Sequence, residues 1–484
     1  MALGLALAST LGACGDTAVE LRFNLNVRVP DDMDSLCLAV GPVGSTSFAR
    51  QYPIAQGGEA KTLVVQPGDL TSDRFEVIVG AELRRELFHF ERRVVEFVDG
   101  EISSTELAVG GQCSAQSPPG TGQFDQQPRR VTKPDTATAI AALPAPGHAA
   151  LVLAGQLSGG DVPRFTFLAS SDVVATLEGD TPTVGAQLSR LLTFDMHAGS
   201  ADGVCARDFA AITSGGVELW QSRGGALFEK GAGVGVGAGF FDGVARDLDG
   251  DGTTDLAFIS AGQLALVFGA SDGSYARDSA REPSGLSDIT SIAAGFFDDT
   301  AGSGRTVDLV LGRGNGQKDL LLLNVGGDGN FSSASNQREI GDAKDTVAVA
   351  VVRSTRLGFD DIATSDGSAV TVFAQRAPGD LVAVGLPAGI DGTGVARIYG
   401  VDIDGDCARD LVLLRSETSG KTSTVVLFDN VKGGYASSGS ALPAGREMVF
   451  VDFNGDGARD VVLSSTAGGT ELYLQVKNSA AGAP

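Results

Sequence analysis

The sequence predicts an all-β chain: a β-propeller of seven blades, with six or eight as the alternatives, preceded by a small β-sandwich. Three observations predict it. Short apolar strands recur with a period near fifty residues over the C-terminal two-thirds of the chain. Glycine is abundant, at 67 of 484 residues, while aromatic content is only 6% and Trp220 is the sole tryptophan. That composition suits many tight turns and small packed side chains. No long amphipathic helical pattern interrupts the strands.

The elements follow in chain order. Residues 1–14 read MALGLALASTLGAC. They resemble the end of a bacterial lipoprotein signal peptide, with Leu11-Gly12-Ala13-Cys14 fitting the lipobox in which the cysteine is acylated. The resemblance implies export, lipidation of Cys14 and a membrane anchor at the outer membrane, cell surface or periplasm. The segment departs from the pattern in having no Lys or Arg before the apolar run. A start upstream of Met1 would supply one, and an ordinary signal peptide is the alternative. Beyond this segment no run of about 18 or more apolar residues occurs, so no transmembrane helix is expected.

Residues 15–113 are read as the β-sandwich. Val19, Leu21, Phe23, Leu25, Val27 and Val29 alternate with Glu20, Arg22, Asn24, Asn26 and Arg28, the pattern of a half-buried strand. Similar short strands are expected near Leu36–Val40, Thr62–Val65, Phe75–Val79, Phe88–Phe97 and Thr105–Val109. Cys37 and Cys113 bracket this region, and export makes a disulfide there admissible. Residues 114–134 are rich in Pro, Gly, Ser and Gln and read as a linker.

Residues 135–478 repeat, leaving 479–484 as a tail. An Asp followed by an apolar strand recurs at Asp208, Asp255, Asp308, Asp361, Asp410 and Asp460, with gaps of 47, 53, 53, 49 and 50 residues. A divergent first copy begins at Ala150. Each unit carries a strand before the Asp and a third after it. A four-stranded unit cannot bury both faces alone, and stacking units around an axis does so.

Three loops share one pattern. Asp247, Asp249, Asp251 and Asp255 stand at positions 1, 3, 5 and 9 of the first; Asp402, Asp404, Asp406 and Asp410 of the second; Asp452, Asn454, Asp456 and Asp460 of the third. Ca²⁺ takes oxygen ligands, and a loop with oxygens at alternate positions can curl around it. A glycine at position 6 permits the sharp turn. Crowded carboxylates without a cation repel one another. An EF-hand is excluded by position 12, which is Phe258, Leu413 or Leu463 inside a β-type run rather than a Glu before a helix.

On the segments GFFDGVARDLDGDGTTDLAFIS, YGVDIDGDCARDLVLL and VFVDFNGDGARDVVLS, the repeats resemble the FG-GAP or VCBS family of integrin-alpha-like propellers. The resemblance covers residues 135–478. It implies calcium held between the first two strands of a blade, and thus by positions 1, 3, 5 and 9 of the three loops. The alternative is that these are acidic turns. Three calcium sites are expected, and up to five. Repeat 2 keeps Asp202 and Asp208, with Val204 at position 5 and Asp195 out of register. Repeat 4 has Asp298, Asp299 and Asp308 around an insertion. Repeat 5 has Arg353 at position 1. Cys205 and Cys407 occupy position 6 of their loops and are expected to be partly buried thiols rather than a pair.

The formal charge of −24, from 36 basic and 60 acidic residues, excludes a nucleic-acid partner, which needs a basic face. His89, His148 and His197 lie in separate units without metal spacing. No Gly-x-Ser-x-Gly elbow, phosphate loop or Cys-x-x-Cys pair occurs. The sequence therefore points to a non-enzymatic, calcium-stabilised binding or adhesion scaffold with a protein or glycan partner. The alternatives are a polysaccharide-acting lyase or hydrolase on a propeller, for which paired aspartates could serve, or a component of envelope assembly.

Overall fold

The computed structural model describes residues 18–25, 35–42, 48–53, 61–65, 74–83, 86–98, 102–109, 120–125, 128–130, 137–145, 148–156, 164–169, 175–177, 187–196, 208–222, 228–298, 306–352, 359–377, 379–386, 390–404, 409–428, 434–453, 458–465 and 469–477. These residues are all-β, with two short 3₁₀ turns at Ala334–Asn336 and Glu417–Ser419. Most of the strands belong to four-stranded antiparallel sheets.

The N-terminal region forms two sheets. Ala18–Leu25 lies between Lys61–Val65, antiparallel, and Ile102–Val109, parallel. The second sheet runs Phe48–Pro53, Ser35–Pro42, Arg74–Leu83, Glu86–Glu96. One apolar cluster joins them: Val19, Leu21 and Phe23 of the first meet Leu36, Leu38, Phe75 and Val77 of the second. The alternation read at residues 18–25 thus places its apolar face in a shared core. Cys37 is disulfide-bonded. The other four cysteines, Cys14 and Cys113 among them, lie outside the described residues.

Seven four-stranded sheets follow, one per repeat. The first is Ala137–Ala145, His148–Gln156, Arg164–Ala169 and Ala175–Leu177. Only two residues separate its first two strands, so this repeat has no room for a nine-residue acidic loop. The next five sheets are each a consecutive meander: strands from Leu188–Phe194 to Phe228–Lys230, Asp242–Arg246 to Tyr275–Arg277, Ile289–Gly295 to Gln337–Ile340, Ala348–Val352 to Asp380–Gly385, and Val395–Val401 to Tyr435–Leu442. The last sheet is Glu447–Val451, Asp460–Ser465 and Gly469–Tyr473, completed by Arg129–Arg130.

That fourth strand corrects the expectation of a linker at 114–134. Arg129–Arg130 pairs with Glu471 and Leu472, and Gly120–Phe124 pairs with Gln475–Lys477. A strand added at a sheet edge asks mainly for free backbone groups. Two residues carry no periodicity to read, so Pro- and Gln-rich composition pointed to a loop.

The core lies between successive sheets. Repeat 2 packs on repeat 3 through Phe194, Ile212, Leu256 and Phe258. Repeat 3 packs on repeat 4 through Leu264, Leu266, Leu309 and Leu311. The series returns on itself, for Ile140 of repeat 1 packs with Val451, Phe453 and Val462 of repeat 7. First strands of neighbouring repeats lie side by side, including Ala137–Ala145 against Glu447–Val451.

Four first strands also meet through charge. Glu447 of repeat 7, 4% exposed, accepts from Arg190 of repeat 2 at 2.6 Å and from the Tyr399 hydroxyl of repeat 6 at 2.8 Å. Arg190 Nε lies 3.2 Å from Asp242 of repeat 3. Arg397 lies 3.6 Å from Glu447. Burial opposes the charge on Arg190, but Glu447 and Asp242 outweigh it and hold its pKa above the ordinary value. Two cations and two anions cancel there, as buried charges require.

Candidate metal centre

The aspartates that open the second strands are alike in burial, and in repeats 2, 3, 4 and 7 both carboxylate oxygens accept backbone N–H groups. Asp208, Asp255, Asp308, Asp361, Asp410 and Asp460 are buried, all but Asp208 completely. One carboxylate oxygen accepts a backbone N–H from the loop ahead: Met196 to Asp208 at 2.6 Å, Leu248 to Asp255 at 2.8 Å, Phe297 to Asp308 at 3.0 Å, Ile403 to Asp410 at 2.8 Å, and Phe453 to Asp460 at 2.9 Å. The other accepts from a backbone N–H 14 to 16 residues onward: Ser222, Gly269, Asn324, Gln375 and Gln475 for Asp208, Asp255, Asp308, Asp361 and Asp460. The aspartate therefore ties the incoming loop to the outgoing end of the third strand. It does so in repeats 2 and 4, whose loops lack the full alternating pattern.

Two loops gather more carboxylates around it. Asp247, Asp249 and Asp255 each bring an oxygen within 4.8 Å of the others, and so do Asp402, Asp404 and Asp410. In the repeat 3 loop, Asp247 accepts from Gly250 N–H at 2.7 Å and Gly252 N–H at 3.2 Å. Both glycines have left-handed backbone, φ +77° and +86°, a region in which a Cβ costs about 1–2 kcal/mol. Gly252 is the position-6 glycine that the spacing requires. Asp251 stands apart: it is exposed, and its carboxylate accepts from Thr253 N–H at 2.7 Å and from the Thr253 hydroxyl.

The electrostatics of this loop ask for a cation. Burial pushes the Asp255 carboxyl up to about 8, and the charges on Asp249 and Asp247 add to the rise against N–H bonds from Gly269 and Leu248. Asp249 is raised by burial and then by Asp251. A divalent ion among these oxygens would supply the missing positive charge and let all three carboxylates ionise. The donor set, all hard oxygen, fits Ca²⁺.

In repeat 7, Asp452 and Asp460 flank the loop, while Asn454 and Asp456 lie outside the described residues, as does Asp406 of repeat 6. So do Asp202, Asp299, Arg353, Cys205 and Cys407. Among the other acidic residues of the weaker loops, Asp298 is buried near Asp308, and Asp195 is buried beside Met196. Burial pushes Asp308 up to about 8 as well, with Asp298 adding to the rise.

Two features escaped the sequence reading. The first is a buried amide one repeat on. The Asn324 side chain donates to Leu248 C=O of repeat 3 at 2.6 Å, Gln375 to Phe297 C=O of repeat 4 at 2.9 Å, and Gln475 to Ile403 C=O of repeat 6 at 3.0 Å. Each receiving residue is the one whose N–H bonds the strand-opening aspartate. Each amide oxygen also accepts a glycine N–H: Gly329, Gly379 or Gly122. The signal was an Asn or Gln closing the third apolar strand in three repeats. The second is Arg281, whose guanidinium lies 3.4 Å from Asp249.

No family model matches the chain, and no curated protein matches it. Solved structures do. The BBS1N chain crystallised with ARL6DN is 10% identical over 75% of this chain and 98% of that one, with a TM-score of 0.48. A lectin from Agrocybe aegerita that recognises non-reducing terminal N-acetylglucosamine is 14% identical over 67% and 92%, with a TM-score of 0.41. A protein from Lactobacillus plantarum is 11% identical over 77% and 97%, also at 0.41. At these scores none of them bears on the site.

Proposed function

We propose that the protein is an exported, calcium-stabilised binding scaffold without catalytic activity. Residues 135–478 are a closed seven-bladed propeller of the FG-GAP or VCBS kind. Residues 15–113 are a β-sandwich stapled by Cys37 and Cys113, and Cys14 carries the lipid anchor. The ring is supported by the packing of Ile140 on the last sheet and by the Arg129–Arg130 strand that completes it. The disulfide at Cys37 supports an oxidising compartment.

One observation carries the calcium reading. Three carboxylate oxygens converge within 4.8 Å at the same turn of repeats 3 and 6. Repeat 7 has the same sequence pattern, and its Asp452, Asn454, Asp456 and Asp460 complete a set of three sites. The ions would hold the loops of one face rigid. A protein or glycan would be bound by the propeller as a rigid platform, with the lipid keeping it at the envelope. The acidic charge keeps nucleic acid away.

The test uses the full chain after EDTA treatment and desalting. Titration with CaCl₂ in a calorimeter, together with native mass spectrometry, is expected to give three ions per chain and a higher melting temperature. Identical melting curves in calcium and EDTA, with no ion retained, would refute the reading.

A further inference from the structure

Arg281 follows the fourth strand of repeat 3, Tyr275–Arg277, and leads toward repeat 4. Its guanidinium lies over the Phe268 ring, 4.3 Å from the centroid. It pairs with Asp278 at 3.2 Å and donates to the Asp328 carbonyl of repeat 4. The Arg281 carbonyl accepts from Phe331 N–H at 3.0 Å. Backbone, ring stack and two oxygens thus hold the charge in place. From this position it reaches Asp249 Oδ2 at 3.4 Å, the longest of its polar contacts.

We infer that Arg281 is a built-in competitor for the cation of the repeat 3 loop. It neutralises Asp249 when no ion is present and must yield that carboxylate when one arrives. The inference rests on the cation reading proposed above. Asp249 is the position-3 carboxylate of the loop and belongs to the converging group. A fixed positive charge beside one of its oxygens occupies a lone pair and repels any cation that the oxygen would take. Arg281 does not depend on Asp249 for its place, because Phe268, Asp278 and the Asp328 carbonyl remain. The contact to Asp249 is therefore the one that breaks first. The site in repeat 3 consequently binds calcium more weakly than its ligands alone would, and it fills at a higher calcium level.

The experiment isolates the site in the full chain carrying Asp404→Ala and Asp452→Ala, which remove the other two loops. CaCl₂ is titrated calorimetrically at low salt with and without Arg281→Met, which keeps an apolar stem over Phe268. The Met variant should bind calcium roughly two- to fivefold more tightly, the range for losing a partly exposed ion pair. That gain should shrink as NaCl rises from about 0.05 to about 0.5 M. Its melting temperature should fall in EDTA and recover in calcium. Arg281→Lys, which keeps a positive charge but loses the planar stack on Phe268, should fall between the parent and the Met variant. Unchanged or weaker calcium binding by Arg281→Met, in a chain that still melts cooperatively, overturns the inference while leaving the site standing. A parent chain that takes up no calcium overturns the site and the competitor together.

Discussion

Repeats 3 and 4 hold the same aspartate for different ends. Asp255 and Asp308 are both fully buried, and each accepts a backbone N–H from the preceding loop and another from the far end of the third strand. Both carboxyls are pushed up to about 8 by burial. Of the two, only Asp255 has two further carboxylates of the described residues drawn within 4.8 Å of it. The strand-opening aspartate is therefore a structural tie, made at both ends in repeats 2, 3, 4 and 7. The carboxylate cluster is an addition built beside that tie, in repeat 3 and again in repeat 6. Loss of the carboxylates at positions 1, 3 and 5 can leave the tie, and the sheet, intact.

The sharpest break of this comparison is Asp308→Ala. It leaves the N–H groups of Phe297 and Asn324 buried without their acceptor. At about 1–3 kcal/mol for each orphaned donor, the loss should reach roughly 3–5 kcal/mol. Urea melts should show the same loss in calcium and in EDTA. Asp249→Ala should behave otherwise. It removes a cation ligand but no structural tie, so it should cost about 2–3 kcal/mol only when calcium is near a hundredfold above its dissociation constant, and little in EDTA. If the two variants lose stability in parallel under both conditions, the separation of tie from cation loop is wrong.

The period of the repeats, their three-strand reading and the strands of residues 15–113 other than Phe48–Pro53 were legible because alternating or continuous apolar runs report directly on strand burial. The two added strands at Gly120–Phe124 and Arg129–Arg130 were not, since pairing over a few residues leaves no pattern. The recurring aspartate was legible, but its ties to the backbone were not. Spacing made it a calcium ligand, whereas its hydrogen bonds run to backbone groups 14 to 16 residues away, a separation that no local motif marks. Asp251 shows the converse. It has the right spacing yet turns to Thr253 and stays exposed. The amides of Asn324, Gln375 and Gln475 were invisible because each acts across a repeat boundary.

Those amides extend the comparison from one repeat to the next. Gln375→Leu keeps the volume roughly but takes the amide donor from the Asp360 carbonyl, and it leaves the Phe297 carbonyl and the Gly379 N–H with only their 2.8 Å bond to each other. Carbonyls tolerate this better than donors, so a loss of about 2 kcal/mol is expected. Hydrogen exchange should rise at Gly379 and along the junction of repeats 4 and 5, with repeat 3 unaffected. Exchange confined to the mutated strand would mean that the amide does not couple neighbours.

The last comparison is the response to pH. In EDTA, Asp255 and Asp308 both resist ionisation until about pH 8, while in the unfolded chain they ionise near the ordinary carboxylate value of about 3.9. Between those values the folded state holds protons that the unfolded state has released, so stability falls as pH rises. This contribution is fully present below the unfolded pKa and is gone once pH has passed the folded one. Calcium ionises Asp255 in the folded state and removes its share, leaving that of Asp308. The decline of melting temperature from pH 5 to pH 8 should therefore be shallower in calcium than in EDTA, and Asp255→Asn should reduce the EDTA slope to a similar degree. Parallel slopes in calcium and EDTA would show that the ion never meets Asp255, and the loop of repeat 3 would then be no different in kind from that of repeat 4.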